Sequence, residues 1–379
     1  MKKYNFGILP GGFKASGISC GIKKSGKLDL ALFFSEIPAK ASCLFTSSSM
    51  LAAPIVLNKN YLKRNNYFQA IIVNSGNANS FTASAGLKDA EITSRILARQ
   101  LSLNKENVLV ASTGIIGKRL PVIKIKLGLP QLVKNLSRQD GIHAASRAIM
   151  TTDTFAKEFS VKFKLGAKEV TICAIAKGAG MIAPNMATLL CFILTDANIT
   201  QNALNRALKI AVGNSFNCIT VDGCMSTNDS VMLLANGTSG NTLIKGGENL
   251  GLFTKALSLA CLELAKMIVK DAEGASKFIQ IKVKAAKNYN EAKAVALSIA
   301  NSNLLKTAIY GQNPNFGRIV AAVGASGVRV KEKDLKVSLS SLKKKDIVVQ
   351  VWLSQGKAEA YVYTSDLTPE YVKINAEYN

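Results

Sequence analysis

The sequence of 379 residues contains a single histidine, His143. A mechanism that needs imidazole as its base therefore has one residue to draw on, and "GIHAASRAIM" reads as a helix with His143 in a surface or packing role. The seven cysteines (Cys20, Cys43, Cys173, Cys191, Cys218, Cys224 and Cys261) are odd in number, widely spaced and never form a C-x-x-C pair. That spacing excludes a zinc site or a disulfide framework, so no metal is expected. Cys173 in "VTICAIA" and Cys191 in "LLCFIL" read as small core residues. No apolar run approaches the roughly 18 to 20 residues of a membrane helix. "MKKYNFGILPGGFKASG" meets Gly7, Pro10 and Gly11 before a signal core could form. A cytoplasmic protein without a membrane partner is expected. Acidic residues are few, 24 against 48 Lys and Arg, for a net charge of +24. The lysines are scattered ("KKSGK", "KNYLKR", "SLKKKD") without interleaved aromatics, so they read as solvated faces and no nucleic-acid partner is expected. A positive field would also attract anionic small molecules.

What is present is a large stock of core-forming residues, 48% hydrophobic, in an α/β pattern. "FQAIIVNSGNANS" predicts a buried strand ending at Val73, a loop over Asn74–Ser80, and a helix from about Ala83 to Leu101. "NVLVASTGIIGKRLP" repeats the plan, with a strand to Val110 and a tight loop through Ser112, Thr113 and Gly114. "TLLCFILTD" predicts a central strand opening at Thr188. "ITQNALNRALKIAV" and "NLGLFTKALSLACLELAKMIVK" have helical patterns, and "SFNCITVDG" and "DSVMLLANG" read as strands. From about Phe278 the pattern alternates, and Val348–Tyr363 predicts a hairpin over Ser354-Gln355-Gly356. Residues 1–279 are thus expected to form one α/β region and residues 280–379 a smaller α/β domain.

With one histidine and no metal site, one remaining way to activate a hydroxyl is a threonine at a chain terminus, whose own α-amine takes the proton. An α-amine has a pKa of roughly 7.7 to 8.0 against about 10.4 for lysine, so far more of it is free base near neutrality. "KGAGMIAPNMATLL" offers such a residue: the Thr188 hydroxyl could attack the Ala187 carbonyl, and water would then cut the ester. By itself an Ala-Thr step before a strand is also what β-branched threonine gives for structural reasons. "STG" at Ser112–Gly114 could stabilise an oxyanion through the Thr113 hydroxyl and the Gly114 N–H, or could be a plain turn. "TGIIGK" fails the spacing of a phosphate loop.

Taken together, nine segments in order resemble the ornithine acetyltransferases, the bifunctional glutamate N-acetyltransferase / amino-acid acetyltransferase family. They are "GFKASGISCGIKKSGKLDLAL", "NSGNAN", "ASTGIIG", "MTTDT", "KGAGMIAPNMATLL", "VDGCMSTND", "KDAEGASK", "GQNPNFGRI" and "YVKINAEY". The resemblance implies two packed β-sheets flanked by helices, with the smaller C-terminal α/β domain. It implies self-cleavage between Ala187 and Thr188 into an α chain (1–187) and a β chain (188–379), assembled as two α and two β. It also implies a ping-pong transfer of acetyl from N-acetylornithine to glutamate through an ester on Thr188, in arginine biosynthesis. No cofactor is implied, and acetyl-CoA is a co-substrate where the enzyme is bifunctional. Thr113 and Gly114 fall on the family's oxyanion positions. Thr154, Lys177, Thr188, Glu273 and Asn375 fall on its substrate-binding positions. Read without the family, Lys177 is a solvated lysine, Glu273 a helix-end charge, Thr154 a turn residue and Asn375 a tail residue.

Some positions depart from the family pattern. The family ends one residue later in a serine or threonine that touches substrate, whereas this sequence stops at Asn379. Asn313 and Phe316 stand where Asp and Trp are common, and "TSSSML" replaces "TTNRVK". These changes bear on substrate affinity more than on chemistry. An alternative reading is an amidase or aminopeptidase on a related self-cleaving scaffold, in which water discharges the same ester.

Overall fold

A computed structural model describes residues 1–183 and 189–377. They fall into two compact units: Met1–Gly178, Thr188–Ser215 and Met225–Leu264 form the first, and Ala179–Ala187, Phe216–Cys224 and Ala265–Asn379 the second. The boundary expected near residue 280 lies inside the second unit, within its first strand. The chain is α/β throughout.

The first unit holds β1 (Lys2–Tyr4), β2 (Phe13–Ile18), β3 (Leu30–Phe45), α1 (Ala53–Arg64), β4 (Tyr67–Asn77), α2 (Ala83–Gln100) and β5 (Val108–Ile115). It continues with α3 (Val122–Lys134), α4 (Gly141–Ala148), β6 (Lys157–Leu165), β7 (Lys168–Lys177), β8 (Leu190–Thr195), α5 (Gln201–Gly213) and β9 (Ser230–Ala235). It takes in α6 (Gly247–Lys270) up to Leu264. Its sheet has the order β1-β6-β7-β8-β9-β3-β4-β5, with β2 on β3.

The long strand β3 organises this sheet. Its first half pairs with β2 and β4, its last residues pair with β9, and the register breaks between Phe34 and Ala39. Phe33 of β3 stacks on Phe192 of β8 with ring centroids 5.1 Å apart. The two packed layers expected from sequence are therefore halves of one sheet joined through β3. Alternation then sorts the side chains: Cys173 and Ile175 of β7, Phe192 and Leu194 of β8, and Met232 and Leu234 of β9 all enter the shared core. Their neighbours Ile172, Cys191, Ile193, Val231 and Leu233 are equally buried on the other face, where Phe163 meets Phe253 of α6. Burial on both faces is why these strands read as unbroken apolar runs.

Two strand ends differ from expectation. β4 runs to Asn77 rather than Val73, and β5 runs through Ser112–Gly114. The two strands are parallel and stay paired through Asn74–Ser112, Ser75–Thr113 and Gly76–Gly114, so polar residues read as loop still have ladder partners.

The second unit holds β10 (Phe278–Ala286), α7 (Tyr289–Ala300), α8 (Asn303–Tyr310), α9 (Phe316–Gly324), β11 (Lys336–Leu339), β12 (Asp346–Trp352), β13 (Ala358–Ser365) and α10 (Pro369–Glu377). Helices α7, α8 and α9 open at Asn288, Ser302 and Asn315, whose side-chain oxygens each accept a first-turn amide. The sheet order is β11-β12-β10-β13, which overturns the expected hairpin. β10 lies between the two strands, parallel to β12 and antiparallel to β13, and the amides of Gln355 and Gly356 donate to Ala285. "SFNCITVDG" is not a strand either. After a short 3-10 turn its amides go to separate partners, Thr220 to Tyr363 and Val221 to Ile182, instead of to one sheet neighbour.

Candidate functional site

In the first unit, the C-terminal ends of β5 and β7 and the start of β8 and β9 supply the candidate residues. β5 ends at Thr113-Gly114-Ile115. Gly114 has φ +130, and a β-carbon there would lie 2.4 Å from the Gly76 carbonyl carbon and 2.5 Å from the Asn77 nitrogen. Only glycine lets the two backbones approach this closely. The neighbouring "NSGNAN" residues brace the turn: Asn74 Oδ1 accepts from the Ser112 hydroxyl at 2.6 Å, and Asn77 Nδ2 donates to the carbonyls of Lys118 and Arg119.

Lys177, the last residue of β7, is 4% exposed, and its Nζ donates to Thr113 Oγ1 at 3.1 Å. It is not the solvated lysine of the bland reading. An ammonium can only donate, so the Thr113 oxygen accepts and its own hydroxyl hydrogen remains to be given elsewhere. The end of β7 is fixed by Asp153, which accepts from Gly178 N and from Lys157 Nζ, both at 2.7 Å. Burial alone would raise the Asp153 pKa, but the Lys157 and Lys177 ammoniums and the Lys157 hydrogen bond prevail and hold it at about 2. A stable anion is thus buried behind a cation that points at Thr113. Thr154, next in the chain, is exposed.

Lys23 is a further cation that the sequence did not single out. Its amide donates to Asp29 Oδ2 at 2.9 Å and its Nζ to the Leu28 carbonyl at 2.7 Å. Burial lowers its pKa to about 8, against the pull of Asp29 and Asp153, and Lys177 pushes the same way as burial.

Ala187 and Thr188, the expected scission pair, lie outside the described residues. The chain is described again from Leu189, whose N–H donates to Asp229 Oδ1 at 3.2 Å and whose carbonyl accepts from Ser230 N at 3.1 Å. Asn228, beside Asp229, donates from Nδ2 to the carbonyls of Ala78 at 2.7 Å and Ser112 at 2.8 Å. The "STND" segment (226–229) thus ties the residue before Thr113 to the residue after Thr188. The motif was legible in the sequence. Its bridging role was not, because both partners are distant along the chain.

In the second unit, Glu273 follows α6, and its Oε2 accepts from Asn375 Nδ2 of α10 at 2.9 Å. The Glu273 amide donates to Ala179, and its carboxylate lies over Gly180. Asn375 is thus a helix residue paired with Glu273, not a loose tail. Asp222 accepts from the amides of Met181 at 2.6 Å and Ile182 at 2.9 Å and from the Tyr371 hydroxyl at 3.2 Å. Burial and then Asp222 push the Tyr371 pKa up. Among the described residues no three His, Cys, Asp or Glu side chains gather as a metal site requires. No helix among them is long and apolar enough to cross a membrane.

Within the first unit the arrangement resembles a covalent-catalysis site: a hydroxyl beside a glycine amide, with a buried cation donating to the hydroxyl oxygen. The model of the ArgJ family matches residues 14–379. The chain belongs to the ArgJ family. It is 43% identical to the arginine biosynthesis bifunctional protein ArgJ 1 of Clostridium acetobutylicum, over 97% of this chain and 95% of that protein. It is 42% identical to the glutamate N-acetyltransferase of Methanocaldococcus jannaschii, over 97% of each. Among solved structures it is similar to an ornithine acetyltransferase from Mycobacterium tuberculosis, in complex with ornithine, at 36% identity. That match covers 50% of this chain and 98% of the other, with a TM-score of 0.45. As an ArgJ family member the chain has Thr113, Gly114 and Lys177 together at one strand end, and Glu273 and Asn375 hydrogen-bonded to each other in the other unit.

Proposed function

We propose that the chain is a glutamate N-acetyltransferase of arginine biosynthesis, moving acetyl from N2-acetyl-L-ornithine to L-glutamate by way of an ester on Thr188. In the first event the Thr188 hydroxyl attacks the Ala187 carbonyl, the acyl group passes from nitrogen to oxygen, and water hydrolyses the ester. This leaves a carboxylate on Ala187 and a free amine on Thr188. In turnover the amine takes the hydroxyl proton as Oγ1 attacks the acetyl carbonyl. The developing oxyanion accepts hydrogen bonds from the Thr113 hydroxyl and the Gly114 amide. The acetyl C–N bond then breaks, ornithine leaves with the proton, and the glutamate amine attacks the ester to restore the threonine hydroxyl.

The observation that carries this reading is the Lys177–Thr113 contact, because it fixes the threonine oxygen as acceptor and leaves its hydrogen for the oxyanion. Under the same reading Lys177 and Thr154 serve substrate carboxylate and polar groups, and Glu273 and Asn375 serve its ammonium. The α and β fragments would stay together as two of each in the cytoplasm, acting on small molecules without nucleic acid, and acetyl-CoA would be a second acetyl donor.

Intact mass and N-terminal sequencing of the purified protein test the reading. Two fragments are expected, one beginning Thr-Leu-Leu-Cys, and Thr188→Ala is expected to give one uncut chain without transferase activity. Protein that stays whole yet turns over normally overturns it. Supplying N-acetylornithine and glutamate separates it from an amidase: a transferase makes N-acetylglutamate without equivalent acetate.

A further inference from the structure

A second ammonium sits beside the strand end that carries Thr113. The loop between β2 and β3 is closed by the buried Asp29, whose Oδ1 accepts from Cys20 N at 2.7 Å and whose Oδ2 accepts from Lys23 N at 2.9 Å. The Asp29 carbonyl in turn accepts from Ser75 N at 2.9 Å, and Ser75 is the β4 partner of Thr113. The loop therefore lies against the ends of β4 and β5. A β-carbon on Gly76 would lie 3.1 Å from Lys23 Cγ and 3.2 Å from Ile22 Cγ2, and Gly76 is the strand partner of Gly114. With φ +96, Gly76 supplies both a backbone conformation that side chains disfavour and the space for the lysine stem.

Lys23 Nζ donates to the Leu28 carbonyl at 2.7 Å, which uses one of the three ammonium hydrogens. Burial lowers the Lys23 pKa to about 8, Asp29 and Asp153 pull it back, and Lys177 and Lys27 push it further down. The anions within reach are shared with other donors: Asp153 accepts from Gly178 N and Lys157 Nζ, and Asp29 from the amides of Cys20 and Lys23. Two cations thus crowd one strand end, Lys177 on Thr113 and Lys23 over the partner of Gly114. Each repels the other, and an anionic ligand that meets both relieves the repulsion.

We propose that Lys23 is a specificity-determining residue of this site: it receives the side-chain carboxylate that glutamate alone carries, while Lys177 receives the α-carboxylate common to both amino-acid substrates. For the identity of those substrates the inference rests on the proposed function. Ornithine and glutamate share the α-carboxylate, and their side chains end in opposite charges, an ammonium and a carboxylate. A single cation at the α-carboxylate does not tell them apart. The second cation attracts the glutamate side chain and repels the ornithine one, and specificity gains from an attraction and a repulsion acting together. The same repulsion favours the departure of ornithine once its acetyl group has been given up, and its replacement by glutamate.

The test begins with binding, followed by titration calorimetry on the full chain with two probes: glutarate, which has two carboxylates and no amine, and butyrate, which has one carboxylate. The wild type is expected to hold glutarate about tenfold or more tightly than butyrate, the factor that one charge-assisted hydrogen bond supplies. K23M keeps a stem over Gly76 without the charge and is expected to hold the two probes alike, while K23R is expected to keep the preference. Should K23M fail to fold, K23Q carries the same expectation. Wild-type protein without the preference, or a neutral variant that retains it, overturns the inference. In steady-state kinetics the neutral variant's KM for glutamate should rise about tenfold relative to its KM for N-acetylornithine. Equal changes in the two KM values overturn the assignment of Lys23 to the side-chain carboxylate. A wild type that prefers glutarate through Lys23 yet makes no N-acetylglutamate upholds the pair of cations and overturns the proposed function instead.

Discussion

Thr113 is one hydroxyl on one strand end, and its value depends on which way its hydrogen points. Lys177 supplies the answer, since a buried ammonium at 3.1 Å occupies the oxygen as acceptor. Thr113→Val keeps the shape and removes the donor, so kcat is expected to fall about 10² to 10³-fold with scission slowed as well. Steady-state kinetics on the purified variant checks this, and an unchanged kcat would remove Thr113 from the oxyanion role. Thr113 and Gly114 were legible as candidates because a Ser-Thr-Gly run after an apolar strand is a donor-rich turn on chemical grounds alone. Lys177 was legible only through the motif, because a lysine in a lysine-rich chain looks solvated. The surroundings of Asp229 and Lys23 were not legible in the sequence. Their meaning comes from Leu189 and Asp153, which the fold brings to them from distant parts of the sequence.

At the level of elements, propensity and alternation located most strands and helices, but pairing decided where they ended. β4 and β5 extend through Asn, Ser and Gly because each residue has a parallel partner, and β12 and β13 are separated by a strand that lies some sixty residues earlier in sequence. No local pattern encodes such an insertion. The same reasoning applies to α10, which a single glycine allows to dock. Gly274 has φ +67, and a β-carbon there would lie 2.5 Å from Tyr371 N and 2.8 Å from the Glu370 carbonyl carbon. Gly274→Ala must push α10 away and draw Asn375 off Glu273. Losing a hydrogen bond to a charged group is worth about 1.5–3 kcal/mol, so KM for the amino-acid substrates is expected to rise roughly tenfold or more. Scission at Ala187-Thr188 should proceed, which intact mass would show. An unchanged KM would separate the Glu273–Asn375 pair from substrate binding.

For the molecule as a whole, the net charge of +24 predicts self-repulsion that eases as lysines lose protons at high pH. Lys306 adds a specific contribution to that trend. It is 3% exposed in the second unit, its Nζ donates to the Val221 carbonyl, and burial lowers its pKa to about 8 against the pull of Asp222 and Asp366. Between that value and the ordinary 10.5, the unfolded chain holds a proton that the folded chain has released. Stability must therefore rise with pH across this window, and below about 8 the full cost of the buried charge is present. Lys23 slopes the same way, but it is only partly buried and solvent screens it. The general relief of repulsion also has the same sign, so the wild-type curve alone cannot assign the effect to one lysine. Lys306→Met can, because it removes one titrating group and leaves the rest of the charge in place. Urea melts at pH 7.5, 9 and 10.5 should show the variant's stability rising less steeply than the wild type's, by up to about 3 kcal/mol over the window. Parallel curves for the two proteins would mean that Lys306 keeps its proton in the folded chain, and that the Val221 carbonyl and the two aspartates offset its burial.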